Sequence, residues 1–157
     1  MARLCRAEFG GGEEIMTCSQ EYQNPSDDQI KEMVQKYKKV AVVGLSSDQT
    51  RPSNAVAKYL QRKGFKIIPV NPNETEILGE KAYPNLSAIP EKVEIVDIFR
   101  RPEQVPPIVD EAIKIKALVV WMQEGVINHP AALKASQNGI IVVMDKCMLK
   151  ECRKFCD

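Results

Sequence analysis

The chain has 157 residues, of which 44% are hydrophobic, and this is enough apolar material for one globular domain with a real core. Its 22 basic and 21 acidic residues nearly cancel, so no nucleic-acid partner is expected. No apolar run approaches the length of a membrane-spanning helix, so no membrane partner is expected either.

The first part of the chain differs in composition from the rest. Residues 1–23 combine arginines, a run of three glycines at 10–12 and an acidic pair, and they bury too little apolar surface to offset the entropy of ordering. We expect residues 1–23 to be a disordered tail, with Met16 as an alternative start of translation. Residues 24–157 are then a single domain.

Cysteine use indicates a reducing compartment. The chain has five cysteines, Cys5, Cys18, Cys147, Cys152 and Cys156. The number is odd and none lies in the middle of the chain, so no disulfide framework is expected and a cytoplasmic location fits best. Cys152 and Cys156 have the spacing of one helical turn, but with a single histidine in the chain no metal site is predicted.

Apolar strands alternate with helical patterns along the sequence. A capping-box pattern at Ser26 and Gln29 opens the first helix. Strands are expected at 40–43, 65–70, 93–99, 117–122 and 140–144, and further helices at 54–63, 102–114, from 128 to Gly139, and at 150–155. A long connection with one helical turn near Leu86 is expected at 73–90. This order predicts an α/β fold: a Rossmann-like, doubly wound, mostly parallel five-stranded sheet with helices on both faces.

The loop after the first strand has the pattern of a phosphate-binding loop. Gly44 ends the strand, Ser46 and Ser47 follow, and Arg51 precedes Ser53, which is expected to cap the second helix. Backbone N–H groups and the helix dipole at such a turn attract an anion, and arginine adds bidentate bonds to phosphate. Simple turn chemistry for the serines and a solvated surface charge for Arg51 remain the alternatives.

Two common nucleotide fingerprints are missing from this loop. The glycines of a dinucleotide-binding turn are replaced at two of three positions, by Ser46 and Gln49. The second strand ends in Val70, Asn71 and Pro72, without the carboxylate that holds a ribose. No Gly-Lys-Ser/Thr sequence occurs either. Ordinary use of NAD or ATP is therefore disfavoured.

Three later strands also end in residues suited to a ligand. Phe99, Arg100 and Arg101 follow one strand, Trp121, Gln123 and Gly125 end the next, and Cys147 follows the last. Because carboxyl ends of parallel strands share one edge of a sheet, these groups are expected to converge. Phe99 and Trp121 as core residues, and Cys147 as a small buried hydrophobe, are the alternatives.

Five ordered motifs resemble the small stand-alone CoA-binding proteins of bacteria and archaea, whose fold is similar to the CoA-binding domain of the succinyl-CoA synthetase alpha subunit. The resemblance covers about residues 24–155. The motifs are Gly44-Leu45-Ser46-Ser47 with Arg51-Pro52-Ser53, Ile68-Pro69-Val70-Asn71-Pro72, Val96-Asp97-Ile98-Phe99-Arg100-Arg101, Val120-Trp121-Met122-Gln123, and Val143-Met144-Asp145-Lys146-Cys147.

The resemblance implies coenzyme A as the cofactor and assigns four groups of residues. The phosphates are implied to lie against Gly44, Ser46, Ser47, Arg51 and Ser53. The next loop is implied to be lined by Asn71, Pro72 and Asn73. The nucleotide is implied to be bordered by Phe99, Arg100 and Arg101, and the pantetheine arm to be approached by Trp121, Gln123 and Gly125.

No catalytic set is predicted. The sequence shows neither a Ser/His/Asp arrangement nor a close acid pair, and His129 is interpreted as a residue of a helix start. The preferred function is a non-catalytic CoA or acyl-CoA binding protein acting as a carrier, sensor or regulatory module. The alternatives are a small enzyme acting on acyl-CoA or nucleotide substrates, with Cys147 as its nucleophile, and a subunit that supports a larger CoA enzyme. Cys147 is also a possible redox thiol facing the thiol of CoA. The oligomeric state stays open.

Overall fold

A computed structural model describes residues 21–156 of the chain. In chain order the elements are α1 (Asp27–Lys36), β1 (Lys39–Val43), α2 (Pro52–Arg62), β2 (Lys66–Val70), β3 (Glu76–Ile77), β4 (Glu80–Lys81), β5 (Ile95–Ile98), α3 (Val105–Lys114), β6 (Val119–Met122), α4 (His129–Gln137), β7 (Ile141–Val143) and α5 (Met148–Cys156). Short 3-10 turns occur at Leu86–Ala88 and Pro102–Gln104. In this part of the chain, no helix has the length and apolar character needed to cross a bilayer.

The central sheet has five strands in the order β2-β1-β5-β6-β7, and every neighbouring pair is parallel. The predicted Rossmann-like, doubly wound sheet is therefore confirmed. From β1 the chain first moves outward to β2 and then returns to β5 and continues the other way. The strand order reverses between β1 and β5, and sheets of this type bind ligands in the crevice beyond the strand ends at such a reversal.

The two faces of the sheet are covered by different helices. α1, α2 and α5 cover one face, here called the α2 face, whose core includes Val42, Leu60 and Trp121. α3 and α4 cover the other, here called the α3 face, whose core includes Val96 and Val120. The buried polar residues of the described chain are Ser53, Asn54, Asp97, Gln123 and Glu151. Ser53 and Asn54 belong to α2, and Glu151 belongs to α5. Asp97 lies beside Trp121 of the α2 face, and Gln123 is hydrogen-bonded to Asp97 and to the N–H of Met148.

Several element boundaries differ from the prediction. The capping box at Ser26 and Gln29 is confirmed. α2, however, begins at Pro52, and Arg51 is its N-cap residue without a side-chain bond. Proline suits the first helical position because its ring presets φ and its missing N–H is not needed there. Ser53 therefore lies inside the first turn and was wrongly expected to be the cap.

Two further differences concern short elements. The connection predicted at 73–90 contains an antiparallel hairpin of β3 and β4, turned by Leu78 and Gly79 with φ of 54° and 76°. The expected helical turn near Leu86 is present as the 3-10 turn. The last helix begins at Met148 rather than at residue 150.

The open edge of the sheet at β7 is closed by side chains from before α1. The Tyr22 hydroxyl donates to the carbonyl of Val142 at 2.7 Å and accepts from its N–H at 3.3 Å. The Asn24 amide bonds the N–H and carbonyl of Met144 at 2.8 Å each. The Tyr22 N–H also donates to Nδ1 of His129 at 2.9 Å. Tyr22 lies within the tail predicted at 1–23, so the folded part includes at least Tyr22; residues 1–20 lie outside the described residues.

Candidate functional site

A cleft of ≈ 730 Å³ opens at the carboxyl ends of β1, β5 and β6. It lies at the reversal of strand order, where the fold predicts a ligand. Four segments line it: the loop after β1 with the first turn of α2, the loop after β5, the loop after β6, and the residue before α5. The lining residues are Gly44, Ser46, Arg51, Pro52, Ser53, Val56, Phe99, Arg100, Arg101, Pro102, Gln104, Gln123, Glu124, Gly125, Val126 and Cys147.

Gly44 lets the loops after β1 and β5 approach each other. Its φ is +86°, in the left-handed region, and its N–H donates to the carbonyl of Val70 at 3.0 Å. A Cβ at this position would collide with the carbonyl oxygen of Phe99. Only glycine meets both requirements without strain, so the closeness of the two loops depends on this residue.

The loop after β1 is braced from within. The Ser46 N–H donates to Oγ of Ser53 at 3.1 Å, and the amide of Asn54 donates to the Ser46 carbonyl at 2.9 Å. Oγ of Ser46 accepts from the N–H of Asp48 at 3.1 Å. Ser53 and Asn54 are buried at the start of α2. These bonds fix the conformation of the loop at the edge of the cleft.

Three arginines give the cleft a positive charge. The side chain of Arg51 is 70% exposed, and its Nε lies 4.0 Å from a carboxylate oxygen of Asp48, so it is held loosely and can turn to a ligand. Arg100 is half-buried and Arg101 exposed. The acidic lining residue Glu124 is neutralised by Lys150 at 2.7 Å. The cleft therefore suits an anionic ligand.

Cys147 reaches the cleft because the loop before α5 is tied to the end of β6. Asp145 has a φ of 58°, and its Oδ1 accepts from the N–H of Gly125 at 2.8 Å. The carbonyl of Lys146 accepts from Nε1 of Trp121 at 2.8 Å. With the loop fixed on both sides, the half-buried Cys147 lines the cleft and also packs against the core of the α2 face.

A smaller cleft of ≈ 410 Å³ lies beside the first, next to the ends of β1 and β2. Arg100 and Gln104 line both clefts and so lie at the boundary between them. Pro72 and Leu86 line the smaller cleft, together with Glu103 and Glu111 of the opposite wall.

Comparison with known proteins decides the family. Residues 38–153 match the model of the CoA binding domain family, which is most of the chain. The chain belongs to this family. Its match includes all of the segments that line the larger cleft.

The relatives of this CoA-binding domain include small proteins and larger ligases. The chain is 44% identical over 126 residues to the uncharacterized protein YneT of Bacillus subtilis, covering 80% of this chain and 93% of that one. A hypothetical protein from Pyrococcus horikoshii superposes with a TM-score of 0.83 at 39% identity, covering 87% and 99%. Acetate–CoA ligase [ADP-forming] II of Archaeoglobus fulgidus is 37% identical over 87 residues, 53% of this chain but 13% of the ligase.

The structure brings most of the predicted site residues of this CoA-binding domain to the larger cleft. They are Gly44, Ser46, Arg51, Ser53, Phe99, Arg100, Arg101, Gln123, Gly125 and Cys147. Phe99 also packs against the core of the α2 face. Their roles toward a ligand stay predictions.

Five predicted residues lie elsewhere. Trp121 is fully buried in the core of the α2 face and does not line the larger cleft, as the alternative of a core residue has it. Ser47 is exposed and donates to Glu74 at 2.8 Å. The Asn71 amide donates to the carbonyl of Leu45 at 3.0 Å and so ties the loop after β2 to the loop after β1. The Asn71 side-chain oxygen accepts from the N–H of Asn73 at 2.9 Å. Pro72 lines the smaller cleft.

Sequence reasoning assigned no role to Asp97. This residue is fully buried in β5, and its Oδ1 accepts a hydrogen bond from the Gln123 amide. Burial raises the pKa of Asp97 to about 7 from an ordinary value of 3.8. The signal in the sequence was a charged residue inside an otherwise apolar strand. Burying such a residue costs stability, and such residues are often found at functional sites.

Proposed function

We propose that the larger cleft binds coenzyme A or an acyl-CoA, and that the protein acts as a non-catalytic carrier, sensor or regulatory module. One observation carries this proposal: three arginines from the loops after β1 and β5 line one cleft at the reversal of strand order. CoA carries a diphosphate and a 3′-phosphate, so a cleft with cations and without a ribose-binding carboxylate suits CoA better than NAD.

Titration calorimetry with CoA, acetyl-CoA and NAD tests the proposal. We expect CoA to bind and NAD to give no comparable heat. Native mass spectrometry of the freshly purified protein adds the identity of any acyl group that it carries. Tighter binding of NAD than of CoA would overturn the proposal.

The position of Cys147 favours a second candidate, a thiol chemistry of the same cleft. The Cys147 thiolate would attack one sulfur of CoA disulfide, forming a Cys147–CoA mixed disulfide and releasing one CoA thiolate, so no further oxidant is needed. Cys147 is half-buried and lines the cleft, whereas Cys152 is fully buried. This residue would also be the nucleophile of the alternative function, an enzyme acting on acyl-CoA.

Peptide mass spectrometry after exposure to CoA disulfide tests this candidate. An adduct on Cys147, absent in Cys147→Ser, is the expected result, with the buried Cys152 as an internal control. Adducts confined to cysteines other than Cys147 would reject it. A separate pull-down with CoA ligases tests the remaining alternative, a supporting subunit.

A further inference from the structure

The buried Asp97, whose carboxyl group has an incomplete set of hydrogen bonds, is hydrogen-bonded to Gln123 of the larger cleft. Asp97 lies in the middle strand β5, with Val42 of β1 and Trp121 of β6 as its register partners. Its side chain is fully buried, and Oδ2 has no hydrogen-bond partner within the described residues. A buried carboxylate with one donor is poorly compensated, so the neutral, protonated form is favoured.

A single side chain separates Asp97 from the cleft. The Gln123 amide donates to Oδ1 of Asp97, and its oxygen accepts from the N–H of Met148 at 3.3 Å. Gln123 itself is nearly buried and lines the cleft. A charge on a ligand bound over Gln123 therefore interacts with a charge on Asp97 through a region of low dielectric, where electrostatic interactions are strong.

The charged and titratable groups of the cleft lining and of the segments next to it come from several elements. They are Asp48 and Arg51 before α2, Arg100 and Arg101 after β5, Glu124 after β6, and Lys146, Cys147, Lys150 and Glu151 at the start of α5. The buried residues of α1 are apolar. Glu124 is ion-paired to Lys150, and Glu151 is ion-paired to Lys146 and Lys154. Burial opposes ionisation of Asp97 most strongly, and the Gln123 hydrogen bond only partly offsets it.

We propose that Asp97 is the proton-binding residue of this cleft and takes up a proton when an anionic ligand enters. An added negative charge above Gln123 makes a second negative charge below it less favourable, so ligand binding and protonation of Asp97 reinforce each other. The affinity for the anion therefore falls as Asp97 ionises. This inference rests on the proposed function, with CoA as the anionic ligand.

Calorimetry in buffers of different ionisation enthalpy measures the proton directly. At pH 7.5 we expect the wild-type protein to take up about 0.3–0.5 proton more per CoA bound than Asp97→Asn does. The difference between the two proteins removes the contribution of the ligand's own phosphates. Asp110→Asn, at an exposed carboxyl of α3, is the matched control and should behave as the wild type does. Equal proton uptake in wild type and Asp97→Asn would overturn the inference while leaving CoA binding intact.

A second measurement on the wild-type protein covers the case in which Asp97→Asn does not fold or CoA does not bind. Carbon-13 NMR of the aspartate carboxyl groups, assigned through the backbone, follows the titration of Asp97 alone and with inorganic pyrophosphate as the anionic probe. We expect its midpoint to move to higher pH with pyrophosphate. A midpoint near that of exposed aspartates, or one that pyrophosphate leaves unchanged, would contradict the inference, whereas absence of CoA binding would contradict only the proposed function.

Discussion

The two faces of the sheet share the same five strands but differ in what they bury. The α3 face is packed with apolar side chains such as Val96 and Val120. The α2 face holds Asp97, Gln123 and the buried polar residues of α2 and α5. Buried polar groups cost stability unless they are paired. Ser53 and Gln123 of this set line the cleft, so the polar face is also the face that meets the site.

The largest expected effect compares neighbouring residues of β5 that point to opposite faces. Val96→Asn places an amide without partners in the apolar core of the α3 face and should lower the free energy of unfolding by about 3–5 kcal/mol. Asp97→Asn keeps an oxygen that can accept from Gln123, so its effect should stay within about 1.5 kcal/mol at pH 7. Urea unfolding of both variants measures the difference. Similar losses at the two positions would break the contrast between the faces.

The next effect is the pH dependence that Asp97 brings to the α2 face. Because burial raises the pKa of Asp97 to about 7, the folded protein retains a proton that the unfolded chain releases near its ordinary value of 3.8. The folded state binds more protons in this range, so this contribution to stability is present below pH 4 and is lost as the pH rises to about 7.

The stability of wild type relative to Asp97→Asn should therefore fall by about 2–4 kcal/mol between pH 4 and pH 8. Urea unfolding at a series of pH values gives this difference and cancels the contributions of the other carboxylates. Parallel curves for the two proteins would show that Asp97 is ionised in the folded state.

Two glycines with positive φ sharpen the comparison at the ends of the elements. Gly44→Ala should cost about 2–3 kcal/mol and weaken CoA binding, because the new methyl group meets the Phe99 carbonyl and φ is +86°. Gly139, which follows α4 on the α3 face, has a φ of +80° and open space around it. Gly139→Ala should cost only about 1 kcal/mol and leave binding unchanged. Thermal unfolding and calorimetry of both variants separate strain from collision.

The smallest expected effect on stability comes from replacing either of two exposed cations, Arg51 at the cleft or Lys134 on α4. Only the replacement of Arg51 should change CoA binding. Arg51→Ala should weaken CoA binding by about 1.5–3 kcal/mol without unfolding the protein, because a charged hydrogen bond to phosphate is lost. Lys134→Ala on α4 removes an exposed ion pair with Asp110 at 2.6 Å and should leave CoA binding unchanged. Equal affinities of wild type and Arg51→Ala would make Arg51 a surface charge.

Strand positions were predictable because they depend on local, continuous apolar runs. The alternation of strands and helices predicts five strands in a parallel sheet, and the structure confirms both. The hairpin of β3 and β4 was missed because its strands have two residues each and leave no period to detect. The start of α2 was misplaced because Ser53 looks like a cap, whereas Pro52 was already in helical conformation.

At the site, the sequence indicates which loops meet but not which side chains the core covers completely. Trp121 and Gln123 lie two residues apart, yet Trp121 is part of the core and Gln123 lines the cleft. Both side chains point to the α2 face, as their spacing predicts, but Gln123 lies beyond the end of β6 and so also reaches the cleft. The resemblance places Asn71 toward a ligand, and in the structure its amide donates to the Leu45 carbonyl of the neighbouring loop, because an asparagine after a strand can bond either a ligand or a nearby backbone group.

The contacts of Tyr22 and Asn24 with the outer edge of β7 have a practical consequence for anyone who shortens or fuses this domain. A protein that begins at α1 would lose these bonds and leave the N–H and carbonyl groups of Val142 and Met144 unpaired. Unpaired groups of an edge strand can pair with a strand of another molecule. Such a version would be expected to self-associate and to be mistaken for a natural oligomer. The smallest part worth cloning therefore starts upstream of Tyr22. A tag or partner domain attached there should not prevent Tyr22 and Asn24 from bonding to β7.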